Sequence, residues 1–243
     1  MSTSEPNRRI DAVAGLAGVI SVLLLVPAAF VVVLAGDYPA PDDPIADVIA
    51  YFKENETLFE VALFLEAVSL GVTVWFFGGL QRILSRGTEQ PSELPAIAFG
   101  AGLGFVLLTL VQDAALMAAA NVAQEGGSES GVNALWEFAF LVDWPFARPV
   151  LTASLIAVGV SAFRTGTLPR HIAVLAIIGA AANAAFIPSI FVDSGPYVSG
   201  GLLAHVIASL IFELWVLLAS FAILRRTLFA TRPPAASSSR SAL

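Results

Sequence analysis

Six apolar stretches, each about 22 to 30 residues long, occupy most of this 243-residue chain. A helix needs about 20 predominantly apolar residues to cross the hydrocarbon core of a bilayer. Because lipid offers no partner for backbone N–H and C=O groups, such a stretch must pair its backbone internally, as a helix does. The sequence therefore predicts an all-α integral membrane bundle of six transmembrane helices. The predicted spans are residues 11–35, 58–84, 96–120, 134–163, 171–192 and 199–224.

The composition agrees with a membrane protein. Hydrophobic residues make up 57% of the sequence and charged residues 13%, against roughly 25% charged residues in an ordinary soluble domain. We predict a single six-span domain over residues 1–228 and a disordered cytoplasmic tail over residues 229–243, which is rich in proline, serine and alanine. The first span is longer than the apolar core of a signal peptide, so we expect it to be retained.

Several function classes are excluded by residues that the sequence lacks or holds sparsely. It contains no cysteine, which excludes disulfides, thiol redox chemistry, iron–sulfur ligation and cysteine-based zinc sites. Its two histidines, His171 and His205, leave little for haem ligation or a three-histidine metal site. The net charge of −7 argues against nucleic acid, whose binding needs clustered Lys and Arg. We predict no cofactor.

A short amphipathic helix is predicted over about residues 44–55, between the first two spans. Its apolar side chains recur with helical spacing at Ile45, Val48, Ile49 and Phe52. Asp43 is expected as the N-cap and Pro44 as the first helical residue. Since the polar face is mostly acidic, binding to anionic lipid headgroups explains it poorly. We expect this helix to pack across the outer mouth of the bundle.

The positive charges set the predicted orientation. Lys53 alone lies on one side of the topology, Arg148 lies within a span, and the other cations fall on the opposite side. Because Lys and Arg accumulate in cytoplasmic loops, we predict a multi-pass protein of the plasma (inner) membrane with both termini cytoplasmic. The cations on the predicted cytoplasmic side are Arg8, Arg9, Arg82, Arg86, Arg164, Arg170, Arg225, Arg226, Arg232 and Arg240.

The fourth span carries residues that are rare in lipid. Asp143, Pro145, Arg148 and Pro149 interrupt its apolar sequence. Each proline removes a helical hydrogen bond, and a charge near the bilayer centre costs about 3 kcal/mol on insertion scales. The segment is therefore predicted to be a kinked helix that faces the bundle interior.

Polar residues on four spans predict a polar interior in the outer half of the membrane. At about 1.5 Å per residue, the carboxylates of Glu66, Asp113 and Asp143 fall at nearly one depth. Arg148 and Glu213 lie near the midplane, and His205 lies nearer the outer surface. Four deep carboxylates thus face one cation. The candidate ligand- or proton-binding residues are Glu66, Asp113, Asp143, Arg148, His205 and Glu213.

Three interpretations of this interior remain open. It suits a small transporter or solute-binding protein with an outward-facing acidic cavity for a proton or small cation. It also suits a structural or accessory protein whose polar residues only join helices. A third interpretation is a metal-dependent intramembrane hydrolase, with His205, Glu213, Asp113 and Asp143 as metal ligands. A single histidine is weak support for such a site. We assign no catalytic residue; the bilayer and a proton or small cation are the predicted partners.

Two packing contacts are also predicted. Arg148 is expected to pair directly with Glu213, because their depths agree and Asp143, five residues from Arg148, points to a different face of an ideal helix. The pair Gly100 and Gly104 is expected to allow close helix packing.

Three stretches of the sequence resemble a known family. They are ADVIAYFKENETLFEVALFLEAVSLGVTVWFFGGLQRIL, LPRHIAVLAIIGAAAN and FELWVLLASFAIL, the last of which contains Glu213. In these stretches the chain resembles a family of bacterial multi-pass membrane proteins classed as a domain of unknown function. The resemblance implies the architecture and no activity or binding residues.

Overall fold

The computed structural model describes residues 5–34, 38–87, 92–192, 194–195, 197–198 and 205–229. Within these ranges the regular elements are helices and no strand occurs. The α-helices are α1 (Glu5–Leu34), α2 (Ile45–Glu54), α3 (Glu56–Ser85), α4 (Leu94–Gln124), α5 (Glu129–Leu141), α6 (Arg148–Thr165), α7 (Arg170–Ala185) and α8 (Leu210–Phe229). They are supplemented by π-helical turns at Val142–Ala147 and His205–Ser209 and by a 3₁₀ turn at Ile187–Phe191. The predicted tail after Phe229 lies outside the described residues.

In the described part of the chain, six helical segments are long and apolar enough to cross a membrane, as predicted. The fourth consists of α5, a π-helical turn and α6, so the predicted irregularity at Pro145 takes the form of that turn. The six segments are Arg8–Ala29, Glu56–Ser85, Leu94–Gln124, Glu129–Thr165, Arg170–Phe191 and Ile207–Leu228.

Each span packs against the next one along the chain, and the last packs against the first. α1 contacts α3, which contacts α4; α4 contacts α6, α6 contacts α7, α7 contacts α8, and α8 returns to α1. The spans therefore form a closed ring of antiparallel neighbours. Large apolar side chains such as Leu23, Phe64 and Trp75 remain more than half exposed on its outside, as a surface that faces lipid requires.

The short helix α2 lies across one end of this ring, as predicted. Val48 and Phe52 are fully buried there, where Phe52 contacts the rings of Phe59 and Trp136. We call this the α2 end. The opposite end, where Arg8 of α1 and Thr227 of α8 meet, is called the terminal end.

The predicted N-cap of α2 is wrong. Pro44 occupies the N-cap position, and no side chain caps the helix. Asp43 instead accepts a hydrogen bond of 2.7 Å from the backbone N–H of Ala40. Its carboxylate therefore closes the turn before the helix, which competes with capping for the same side chain.

Close packing at the predicted glycine pair is found at one position only. A Cβ on Gly104 would lie 3.0 Å from Cγ1 of Val150 in α6, whereas one on Gly100 would meet nothing within 4 Å. A closer approach joins α1 and α3, where a Cβ on Gly79 would overlap the Cβ of Ala14 and lie 3.3 Å from its Cα.

Replacing Gly79 with Ala should therefore lower the free energy of unfolding by about 1–3 kcal/mol, because two backbones would have to move apart. Gly71→Ala is the matched control, since that glycine of the same helix has open space around it. The control should be neutral or slightly stabilising, as Ala favours helix more than Gly does. Unfolding of the purified protein by SDS titration measures both; equal effects would contradict the close approach of α1 and α3.

Candidate functional site: an acidic cluster under the α2 end

An ion pair spans the π-helical turn of the fourth span. Arg148 Nη2 donates to Asp143 Oδ2 at 2.7 Å, and the two residues are only 5% and 2% exposed. The backbone N–H of Arg148 also donates to the carbonyl oxygen of Asp143. Because a π-helix pairs residue i with residue i+5, these residues lie one above the other on one face.

The predicted pairing of Arg148 with Glu213 is wrong. An ideal α-helix, with 3.6 residues per turn, would rotate Asp143 away from Arg148. The π-helical turn around Pro145 removes that rotation and brings the two together. Glu213, partly buried in α8, lies within electrostatic range of Arg148 but does not form its ion pair.

Further contacts hold the guanidinium group of Arg148 in place. Its Nη1 donates to Asn183 Oδ1 at 3.3 Å, and Asn183 Nδ2 donates to the carbonyl oxygen of Gly179 at 2.8 Å. Its Cζ lies 3.9 Å from the ring centroid of Trp144 and 5.8 Å from that of Phe105. Both distances fall within the range of cation–π attraction. The charge of Arg148 is thus held by its own span and by α7.

Asp113 of α4 is a further buried carboxylate in this region. The residue is 6% exposed, and its Oδ2 has no hydrogen-bond partner among the residues that the structure describes. Thr109, one turn earlier, donates to the carbonyl oxygen of Phe105 instead. Asp143 Oδ1 is also buried without a described partner. Since buried polar atoms are nearly always hydrogen-bonded, these two oxygens need an explanation.

The carboxylates predicted to share one depth act on one another. Asp113 lies within electrostatic range of Glu66 and Asp143, and Glu66 lies within range of Asp143. Glu66 also feels the charges of Glu213 and Arg148. Five of the six candidate side chains therefore lie together. We call them the acidic cluster: Glu66, Asp113, Asp143, Arg148 and Glu213.

Two tyrosines at the α2 end were missed by sequence reasoning. Burial raises the pKa of Tyr38 well above its ordinary value, and the charges of Tyr51, Glu66 and Asp113 raise that pKa further. Burial likewise raises the pKa of Tyr51 to about 12, and its hydroxyl has no hydrogen-bond partner in the described part of the chain. Both phenols are therefore neutral at physiological pH and able to donate. The sequence feature that could have pointed to these tyrosines was their position in the acidic stretch 36–57.

Aromatic rings close the α2 end above the acidic cluster. The ring centroid of Tyr38 lies 5.4 Å from that of Tyr51 and 5.8 Å from that of Trp136. Trp136 also contacts Phe52 at 5.7 Å and Phe140 at 4.7 Å. α2 is thus fixed to α5 by an aromatic cluster centred on Trp136.

A metal site receives no support from the side chains that are described. No three His, Asp or Glu side chains among them are placed to share a metal ion. The side chain of His205 lies outside the described part, although its backbone begins the π-helical turn before α8. The interpretation as a metal-dependent hydrolase stays a prediction that depends on this histidine.

Fold and site together define a multi-pass membrane protein with six helical spans and an acidic interior under one end. Comparisons with protein-family models, with curated proteins and with solved structures found no match. The resemblance to a bacterial family of unknown function stays a prediction.

Proposed function

We propose that this protein is a small transporter or solute-binding membrane protein that takes up a proton or a small cation at Asp113. The observation that carries the proposal is the buried carboxylate oxygen without a described partner, in a cluster whose one cation is bound to another carboxylate. A buried acid in this situation is stable with a proton or with a cation from outside. Ionisable groups within spans are commonly parts of ion and proton pathways.

The polar residues that join α1 to α3 show what a purely structural arrangement looks like in this bundle. Ser21 and Thr73 share a hydrogen bond of 2.6 Å, and Ser69 donates to the carbonyl oxygen of Ser21 at 2.8 Å. Thr73 also donates to the carbonyl oxygen of Ser69. Every hydroxyl in this group has a partner. Asp113 differs in this respect, which supports a ligand-binding role over simple helix joining.

A proton is the ligand that the chemistry favours. Metal ions in proteins are held by several converging ligands, and the described acidic side chains do not provide three. A proton needs only one carboxylate, such as that of Asp113.

The proposed orientation places the α2 end outside the cell. Arginines crowd the terminal end, whereas Lys53 of α2 is the cation at the α2 end among the described residues. By the positive-inside rule the terminal end is cytoplasmic and the acidic cluster faces outward beneath α2. Tyr38 lies over it and is suited to pass a proton between the surface and the carboxylates.

Asp113→Asn should remove proton binding and any proton flux. Infrared difference spectroscopy of the purified protein during a pH titration detects the carbonyl stretch of a protonated carboxyl group, and this variant should lose one such band. Liposomes that contain a pH-sensitive dye measure flux under an imposed membrane potential. The flux should fall to that of protein-free liposomes, because Asn cannot take up a proton.

Asp47→Asn is the matched control, since that aspartate is exposed on α2 at the same end. It should leave both signals unchanged. If Asp113→Asn loses the infrared band but the wild type shows no proton flux, the protein binds a proton or solute and does not transport it. If the wild type shows neither the infrared band nor proton flux, and no small cation stabilises it, the accessory interpretation is favoured.

A further inference from the structure

A second charged site lies at the terminal end, on the side of the molecule opposite the acidic cluster. It is a pocket of about 220 Å³ between the ends of α1, α3 and α8 and the loop that joins α6 to α7. Its polar lining comprises Arg8, Asp11, Arg86, Thr167, Arg226 and Thr227.

The pocket carries an excess of positive charge. Three guanidinium groups and one carboxylate line it, which gives a net charge of +2. Arg86 binds Asp11 through two nitrogens, at 2.5 and 2.9 Å, and thereby neutralises it. Arg226 donates from Nη1 to the carbonyl oxygen of Thr167. Because each guanidinium group has five N–H donors, Arg86 and Arg226 both retain donors for a further acceptor.

The depth of the pocket matches that of lipid phosphates. The apolar spans Arg8–Ala29, Glu56–Ser85 and Ile207–Leu228 each begin or end at its lining. Phosphate groups lie just outside the hydrocarbon core, where such helices end. Basic pockets between helices at this level bind anionic lipid headgroups.

The charge preferences of helix ends alone do not explain which arginines line the pocket. Arg225 and Arg226 are both exposed at the same end of α8, yet only Arg226 lines the pocket. In α1, Arg9 is adjacent to Arg8 and likewise does not line the pocket. One arginine of each adjacent pair thus lines the pocket.

We propose that this pocket binds a phosphate group, supplied by the headgroup of an anionic phospholipid. The planar fork of arginine matches two phosphate oxygens, and several forks around one phosphate give charge-assisted hydrogen bonds. A bound lipid would join α1, α3, α8 and the α6–α7 loop, and would so close the ring at its first and last spans. The site is independent of the function proposed for the acidic cluster.

The test uses the full-length protein in a neutral detergent, with the midpoint of thermal unfolding followed during titration with short-chain phosphatidylglycerol. The lipid should raise the midpoint by mass action, whereas zwitterionic phosphatidylcholine should have little effect. Arg226→Gln should weaken the apparent affinity about tenfold, as expected when one charge-assisted hydrogen-bonding group is lost. Arg225→Gln, with the same charge change one residue away, should leave it unchanged.

A second matched pair, Arg8→Gln against Arg9→Gln, keeps the test valid if Arg226→Gln does not fold. Equal affinities within both pairs, or equal effects of the anionic and zwitterionic lipids, would overturn the proposal. Inorganic phosphate distinguishes the source of the phosphate group. If it reproduces the stabilisation at similar concentration, the site takes a soluble phosphate compound; if only the lipid acts, the headgroup assignment is supported.

Discussion

Replacing Asp143 with Asn should lower the free energy of unfolding by about 3–5 kcal/mol, the cost of breaking a buried ion pair by removing one partner. The substitution leaves the guanidinium group of Arg148 without its carboxylate in a position that is 5% exposed. Arg148→Met should cost a similar amount, because it strands Asp143 instead. The double mutant buries no charge at either position and should recover much of the loss. SDS-induced unfolding of the four proteins in mixed micelles gives the coupling energy.

A second double-mutant cycle, in which Glu213→Gln replaces Asp143→Asn, is the control. Glu213 lies within electrostatic range of Arg148 without pairing with it, so the coupling energy should be clearly smaller. A coupling of Arg148 with Glu213 that exceeds its coupling with Asp143 would mean that the π-helical turn does not set the ion pair. Additive losses in both cycles would mean that Arg148 pairs with neither.

The membrane architecture was predictable from the sequence because the bilayer permits few solutions. Apolar length alone predicted the number of spans, and six helices of sufficient length and apolarity are found among the described residues. The periodicity of α2 was equally informative, since Val48 and Phe52 are fully buried against the bundle. Depth along straight helices also placed Glu66, Asp113 and Asp143 near one another, which their electrostatic interaction supports. Each of these inferences depends only on rise per residue and side-chain polarity.

The partner of Arg148 was not predictable by the same reasoning, because it depends on a local change of helical register. Pro145 signalled that the helix is irregular but not how its backbone compensates. A kinked α-helix, a 3₁₀ segment and a π-helical turn all tolerate a missing N–H, and each directs Asp143 differently. The spacing of five residues between Asp143 and Arg148 was the available signal, since it matches the hydrogen-bond repeat of a π-helix.

Contacts between spans that are distant in the sequence could not be predicted from it either. The glycine pattern of α4 drew attention to Gly100, where an added Cβ would meet nothing within 4 Å. The close approach lies at Gly79, which has no such pattern. The ion pair of Arg86 with Asp11 was missed because the two residues lie 75 positions apart in the sequence. Pairings of this kind follow from the ring order of the spans, which composition does not encode.

The aromatic cluster under α2 should be the second large determinant of stability. Trp136 is 2% exposed and joins α2 to α5, so Trp136→Ala should weaken the docking of α2 by about 3–5 kcal/mol through lost burial and a residual cavity. The chain contains no cysteine, which allows a single reporter thiol at the fully buried Val48. Maleimide labelling of Val48→Cys should be slow in the parent and faster by a hundredfold or more when Trp136 is also replaced, since about 1.4 kcal/mol corresponds to a factor of ten.

Phe138→Ala is the matched control, because this aromatic residue of the same helix is 48% exposed on the outside of the bundle. It should leave the labelling rate of Val48→Cys nearly unchanged. A reporter at Ser161, 1% exposed in α6, separates local from global opening. If Ser161→Cys stays slow while Val48→Cys becomes fast, α2 has undocked from an intact ring, and the cover over Asp113 is then a separable element of the fold. If both thiols accelerate together, Trp136 supports the whole bundle; if neither does, α2 is held by contacts other than this aromatic cluster.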